Sequence, residues 1–167
     1  MGFDAFMQIN KGEIKGDSTD EKHKEWIELD GYEYGIKQAT GGKSSAQGYI
    51  AGGRADHEDF HVKKRLDSSS PLLHIYACNA APIKEIVIEL CRAIKDKTVF
   101  MKITMKNCIV SEIQPEADAK GDDLIPGETV GFRYSEIQWE YTPTKADGSK
   151  GAAIKAGWST EENKKTL

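Results

Sequence analysis

His57 and His61 stand four positions apart, flanked by Asp56, Glu58 and Asp59, and are the first residues in this chain that could hold a metal ion. On a helix the two imidazoles would share a face and could grip one cation. On a strand they would also share a face, but roughly 13 Å apart, which is too far for a single ion. Phe60 and Val62 alternate with polar neighbours, so strand is the expectation and both histidines are read as exposed sheet residues. Gly42-Lys43-Ser44 imitates the end of a phosphate-binding loop. That loop needs a glycine where Lys37 stands, and a helix afterwards where more glycine follows. Asp122-Asp123 and the pair Glu85 and Glu89 are read as solvated carboxylates. His23 falls in a charged loop, and His74 on a helix away from its apolar stripe. None has a nucleophile at local spacing, although catalytic groups can also assemble from distant positions. The expectation is a protein without catalytic, metal-binding or cofactor-binding residues.

Cys78, Cys91 and Cys108, 13 and 17 residues apart, include no C-x-x-C pair. An odd number cannot close entirely into internal disulfides, and all three lie among apolar residues, so reduced and buried thiols are expected. Such usage suits folding in a reducing cytoplasm. With 23 basic and 27 acidic residues in 167, the net charge is −4 and both signs are mixed. Nucleic-acid binding calls for a concentrated basic face, which this balance disfavours. No apolar run nears the roughly 18 residues of a membrane helix. The opening MGFDAFMQI reads as lacking a secretory leader, so export, if it occurs, is expected without one.

The elements that would carry these residues are almost all strands. Phe3–Ile9 alternates and reads as the first strand. Glu25–Lys37 reads as a second, with Ile27 and Leu29 on one face and Tyr32, Tyr34 and Ile36 on the other. Gly31 is the natural bend between them. Thr40–Gly53 is the one low-complexity loop. Asp56–Lys64 returns to strand, with Phe60 and Val62 inward. A single helix is predicted after Ser70 as N-cap, with Pro71 at its first position, a stripe of Leu72, Leu73, Tyr76, Ala77 and Ala80, and Pro82 as its stop. Ile86, Ile88 and Leu90 alternate in one strand, and Val99, Met101, Ile103 and Met105 in the next, with a hairpin turn at Lys95–Lys97. Ile109–Ile113 continues the strand pattern. From Pro126 to Pro143, apolar residues fall at Val130, Phe132 and Tyr134, then at Ile137, Trp139 and Tyr141. The change of parity predicts one extra residue near Ser135–Glu136, in a long strand bent at a barrel or sandwich corner. After Pro143 the Gly/Lys-rich tail offers Trp158 as its strong anchor.

Ser18–Leu29 (STDEKHKEWIEL), Gly53–Leu73 (GRADHEDFHVKKRLDSSSPLL), Glu85–Ala93 (EIVIELCRA) and Gly127–Pro143 (GETVGFRYSEIQWEYTP) resemble, in collinear order, the hemolysin-coregulated protein family, Hcp. The two chain ends resemble that family too. The resemblance implies a mainly β fold, an antiparallel two-sheet β-barrel with one α-helix of the phage tail-tube kind, with residues 1–167 forming a single domain. It also implies a structural role, not an enzyme: homohexameric rings that stack into a tube, with the spike protein and contractile sheath of a type VI secretion system as partners. Effector proteins would travel in the lumen, and no nucleic acid or membrane insertion is implied. The tube would assemble in the bacterial cytoplasm and be exported without a signal peptide, to the extracellular space or a target cell.

Within Thr40–Gly53 only Tyr49 and Ile50 offer apolar area, too little to hold a glycine-rich loop on its own subunit. A neighbouring subunit could supply the missing contact. The expected subunit interface is Gln47, Gly48, Tyr49, Ile50 and Arg54. The competing reading is a monomeric β-sandwich module that binds a sugar or peptide, which assembly state would distinguish.

Overall fold

The computed structural model describes residues 2–40, 52–94 and 97–167. Its strands are β1 (Phe3–Ile9), β2 (Ile27–Leu29), β3 (Gly31–Glu33), β4 (Ile36–Thr40), β5 (Gly52–His57) and β6 (Phe60–Arg65). The helix α1 (Ser70–Asn79) follows, then β7 (Ile83–Arg92), β8 (Val99–Glu116), β9 (Gly127–Arg133), β10 (Glu136–Tyr141), β11 (Ile154–Ser159) and β12 (Lys164–Lys165). Every strand pair is antiparallel.

Two corners turn these strands into a barrel. In one sheet β1, β7 and β8 lie side by side; in the other, β8, β9, β6 and β3 do. The first corner is β8, whose first half pairs with β7 and β10 and whose second half pairs with β9. Asn107 bends it with a φ of 53°, in the left-handed region that asparagine tolerates better than most residues. The facing chain breaks at the same level. Ser135 donates from its amide to the Lys106 carbonyl at 3.1 Å, and from its hydroxyl to the Asn107 carbonyl at 3.1 Å. This is the predicted parity change, realised as a sheet crossing between β9 and β10. The second corner lies at Asp30–Gly31, where β2, paired to β1, passes into β3, paired to β6.

The barrel closes because strand faces are consistently apolar inward. Met7 and Ile9, Phe60 and Val62, Ile86 and Ile88, Ile103 and Met105, and Val130 and Phe132 are fully buried in one core. The helix packs on β8 and lowers Leu73 into that core. At about 25 cal/mol per Å² of apolar surface removed from water, such side chains supply the main stabilising term.

Several expectations need correction. Ser69, not Ser70, precedes the helix, and Leu72 is exposed while Ser70 is buried. The predicted second strand is three strands, and Asp56–Lys64 is interrupted after His57. Ile109–Ile113 belongs to the same strand as Val99. The tail contains β11, whose alternation of Ile154, Ala156 and Trp158 was a readable strand signal. Tyr141, expected to contribute burial, is 44 % exposed. Cys78 is exposed, whereas Cys91 and Cys108 are buried. His23 is the largest miss: it is 1 % exposed, stacked on Phe6 with ring centroids 4.2 Å apart. Nδ1 lies 2.8 Å from Asp20 Oδ1, and Nε2 lies 2.7 Å from Glu89 Oε2. Each ring nitrogen thus faces a carboxylate. This arrangement pins the 17–26 loop against β1 and β7, so neither His23 nor Glu89 is merely solvated.

Candidate assembly interface

Among the described residues, β4 and β5 pair only with each other and stand off the barrel as a two-stranded ribbon. All five residues of β4 are exposed, and β5 has no buried residue. A two-stranded ribbon is marginal in water unless something packs on it, so what orients this one matters. Its root rests on an aromatic group. His57 Nδ1 lies 2.8 Å from the Tyr134 hydroxyl, and Tyr34 stacks on Phe60 with centroids 4.8 Å apart. Trp139 Nε1 donates to the Tyr34 hydroxyl at 3.0 Å. Burial holds the His57 imidazole below its ordinary pKa, with the Asp56 carboxylate opposing, and burial pushes the Tyr134 phenol up. Both shifts favour neutral partners in this hydrogen bond. Farther out, the Arg54 guanidinium donates to the Thr160 carbonyl and ties the ribbon to the turn after β11.

Of the expected interface residues, Gln47, Gly48, Tyr49 and Ile50 lie outside the described residues, as does the Gly42-Lys43-Ser44 segment. Arg54 is described and exposed, but its guanidinium braces its own subunit. The bracing orients the described part of the ribbon.

Between ribbon and barrel lies a groove of about 520 Å³. Ile36, Gly53 and Ala55 form its ribbon wall, while Trp139, Gly157 and Trp158 form its floor. The register places Trp139 opposite Ala156 and Ile137 opposite Trp158. Tryptophan in a partly covered apolar groove is a frequent anchor in protein–protein contact. Sequence reading missed this groove because the stretch that forms β11 was read as a Gly/Lys-rich tail with Trp158 as its anchor, and not as a strand. A second, polar cleft on the other side of the ribbon contains Asp56, His57, Glu58, Asp59 and Arg133. Its charges are largely paired within the chain: Arg133 Nη1 is 3.2 Å from Asp59 Oδ1, and Lys37 Nζ is 2.7 Å from Glu58 Oε1. His57 and His61 sit on different strands, and His61 Nε2 lies 3.3 Å from Glu112 Oε2. Among the described residues no group of three potential metal ligands converges, and no helix is long and apolar enough to cross a membrane.

Known proteins place this architecture. The family described as "Type VI secretion system effector, Hcp" matches residues 6–141. Protein hcp1 of Pseudomonas aeruginosa is 28 % identical over 167 residues, spanning 98 % of each chain. A solved structure of a type six secretion system protein superposes with a TM-score of 0.91 at 32 % identity, covering 99 % of this chain and 100 % of the other. Fold alone reaches further: the tube-terminating cap of the anti-feeding prophage gives a TM-score of 0.58 at 11 % identity, over 82 % of this chain and 87 % of that one. The barrel, the helix α1, the ribbon that among the described residues pairs only with itself, and these matches lead to one conclusion: the chain belongs to the Hcp family of type VI secretion proteins, structural and secreted tube proteins rather than enzymes.

Proposed function

We propose that this chain, with residues 1–167 acting as one tail-tube unit, forms hexameric rings that stack into the exported tube of a type VI secretion system. The observation that carries this reading is the ribbon β4–β5, exposed all along β4 and without a buried residue in β5, yet braced at root and flank. A ribbon held in position without internal support for its faces is suited to a neighbouring subunit. Gln47, Gly48, Tyr49 and Ile50, between β4 and β5 in the sequence, are the contacts assigned to that neighbour, with Arg54 setting the approach. Effector proteins ride in the lumen, and the spike protein and sheath engage the assembled tube. Assembly takes place in the cytoplasm, and the subunits leave within the tube, without a signal peptide.

Negative-stain microscopy and solution mass measurement of the purified protein test the proposal. Six-membered rings, lost when 44–52 are replaced by a short glycine linker while strand content is kept, are the expected result. A monodisperse single chain at every concentration would favour the sugar- or peptide-binding module instead.

A further inference from the structure

Leu124 is 98 % exposed and Ile125 is 47 % exposed, adjacent on the loop that enters β9. A lone exposed leucine needs no explanation, but a leucine–isoleucine pair at the tip of a charged loop forms a knob. The loop is acidic: between Glu116 and Asp123 it has Glu116, Asp118, Asp122 and Asp123 against Lys120 alone. Asp123 lies 3.8 Å from Arg65 Nη2, whose Nη1 also donates to the Ile125 carbonyl at 3.3 Å. These contacts tie the base of the loop to the end of β6. Among the described residues Asp122 has no ion pair.

The groove beneath the ribbon has the opposite character. Its floor is Trp139, Gly157 and Trp158, and its rim carries Lys165, which has no ion pair among the described residues. Residues 150–167 hold Lys150, Lys155, Lys164 and Lys165 against Glu161 and Glu162. Knob and groove are therefore complementary in both polarity and charge. They cannot meet within one molecule. The knob immediately precedes Gly127 at one end of β9, and the groove wall contains His57, bonded to Tyr134 at the other end. Seven strand steps at about 3.3 Å put roughly 23 Å between these ends. Unlike surfaces at opposite ends of a molecule make heterologous, repeating contacts.

We propose that the Leu124–Ile125 knob of one copy docks in the Trp139–Trp158 groove of a second copy, with Asp122 approaching Lys165. The proposal rests on the tube reading and specifies one of its subunit contacts. Gly157 lets the segment after β12 lie close behind this floor, since a Cβ there would collide with Thr166 Oγ1 and approach Gln138 Cγ to 3.1 Å.

Site-directed cross-linking tests it, with Cys78→Ser removing the exposed native thiol. In that background, Leu124→Cys combined with Ala156→Cys, on the groove floor, should give a ladder of disulfide-linked copies after mild oxidation of assembled protein. Either cysteine alone should give none. Separately, Leu124→Asp should raise the concentration needed for assembly roughly tenfold or more, as loss of an anchor residue does. Its melting as a single chain should not change. Rings that form normally without the ladder, or with Leu124→Asp harmless, would overturn the docking while leaving the tube reading standing. Absence of any assembly in the parent protein would overturn both.

Discussion

Replacing Lys64 tests how the helix is fastened to the barrel. Lys64 faces inward from β6 with its side chain fully buried, opposite Glu128 in the β6–β9 register. Its ammonium pairs with Glu128 Oε1 and lies 3.0 Å from Asp67 Oδ1. It also donates to Ser70 Oγ at 3.1 Å and to the Arg65 carbonyl at 2.9 Å. Ser70 Oγ donates in turn to Glu128 Oε1 at 2.6 Å. One cation thus joins two strands to the first turn of α1. Lys64→Met keeps much of the volume but leaves the Glu128 carboxylate buried without a counter-charge, while its Oε2 already has no hydrogen-bond partner. Breaking a buried pair from one side costs about 3–5 kcal/mol. At a typical slope near 2 kcal/mol per M, the urea midpoint should fall by about 2 M. Removing both charges, as in Lys64→Met with Glu128→Leu, should recover much of the loss, because an apolar pair of similar size leaves no fully buried ion and Asp67 keeps its bond from the Ser69 amide and some solvent access. Urea titrations should be run at protein concentrations where mass measurement gives single chains, since association adds its own stability. A single variant within about 0.5 kcal/mol of the parent would refute this account. So would a double variant no more stable than the single one.

Two further outcomes follow from titratable groups. The Lys97 ammonium, hydrogen-bonded to Asp20 at 2.8 Å, holds that carboxyl down to about 2, against an ordinary 3.8, with burial opposing and His23 assisting. A depressed folded-state value stabilises above the unfolded one, so up to about 2 kcal/mol should be lost as pH falls from 4 toward 2; Asp20→Asn should lower stability at pH 6 and flatten this acid slope in pH-dependent melting, and an unchanged slope would contradict the assignment. Burial pushes the Cys91 thiol up to about 11 and the Cys108 thiol up to about 12, so iodoacetamide at neutral pH should add one group to native single chains, at Cys78, and three in urea, with mass spectrometry distinguishing them.

How far the sequence discloses this fold depends on the range of the forces involved. Alternation over Phe3–Ile9 and the core faces around Ile86 and Ile103 are local consequences of a two-residue period, and those strands occur as expected. The parity change in Val130–Tyr141 also shows at short range, because a bend must alter which positions face inward. What that bend accomplishes was not legible. Its partner is Asn107, 28 positions earlier, and only the pairing of β8 with both sheets shows that the bend is a barrel corner. His23 failed for the same reason: nothing in DEKHKEW announces Glu89, which is 66 positions away and turns a charged loop residue into a buried clasp.

The proposed interface rests on a different kind of signal. Glycine enrichment in Thr40–Gly53 reports a backbone without support of its own, and that deficit is local even when its remedy is not. The flanking strands appear as expected of such a segment: they pair with each other and expose their faces. The remedy depends on shape. Arg54 matters through the Thr160 carbonyl, 106 positions away, and the groove exists because the β10–β11 register sets Trp139, Ala156 and Trp158 on the one face that the ribbon overhangs. Leu124 followed by Ile125 in an acidic loop carries no periodicity and makes no prediction of structure. It acquires meaning only when β9 separates it from the groove it complements. A surface that joins copies of one chain is written as two unrelated segments, so periodicity recovers the barrel while the contacts between barrels need its geometry.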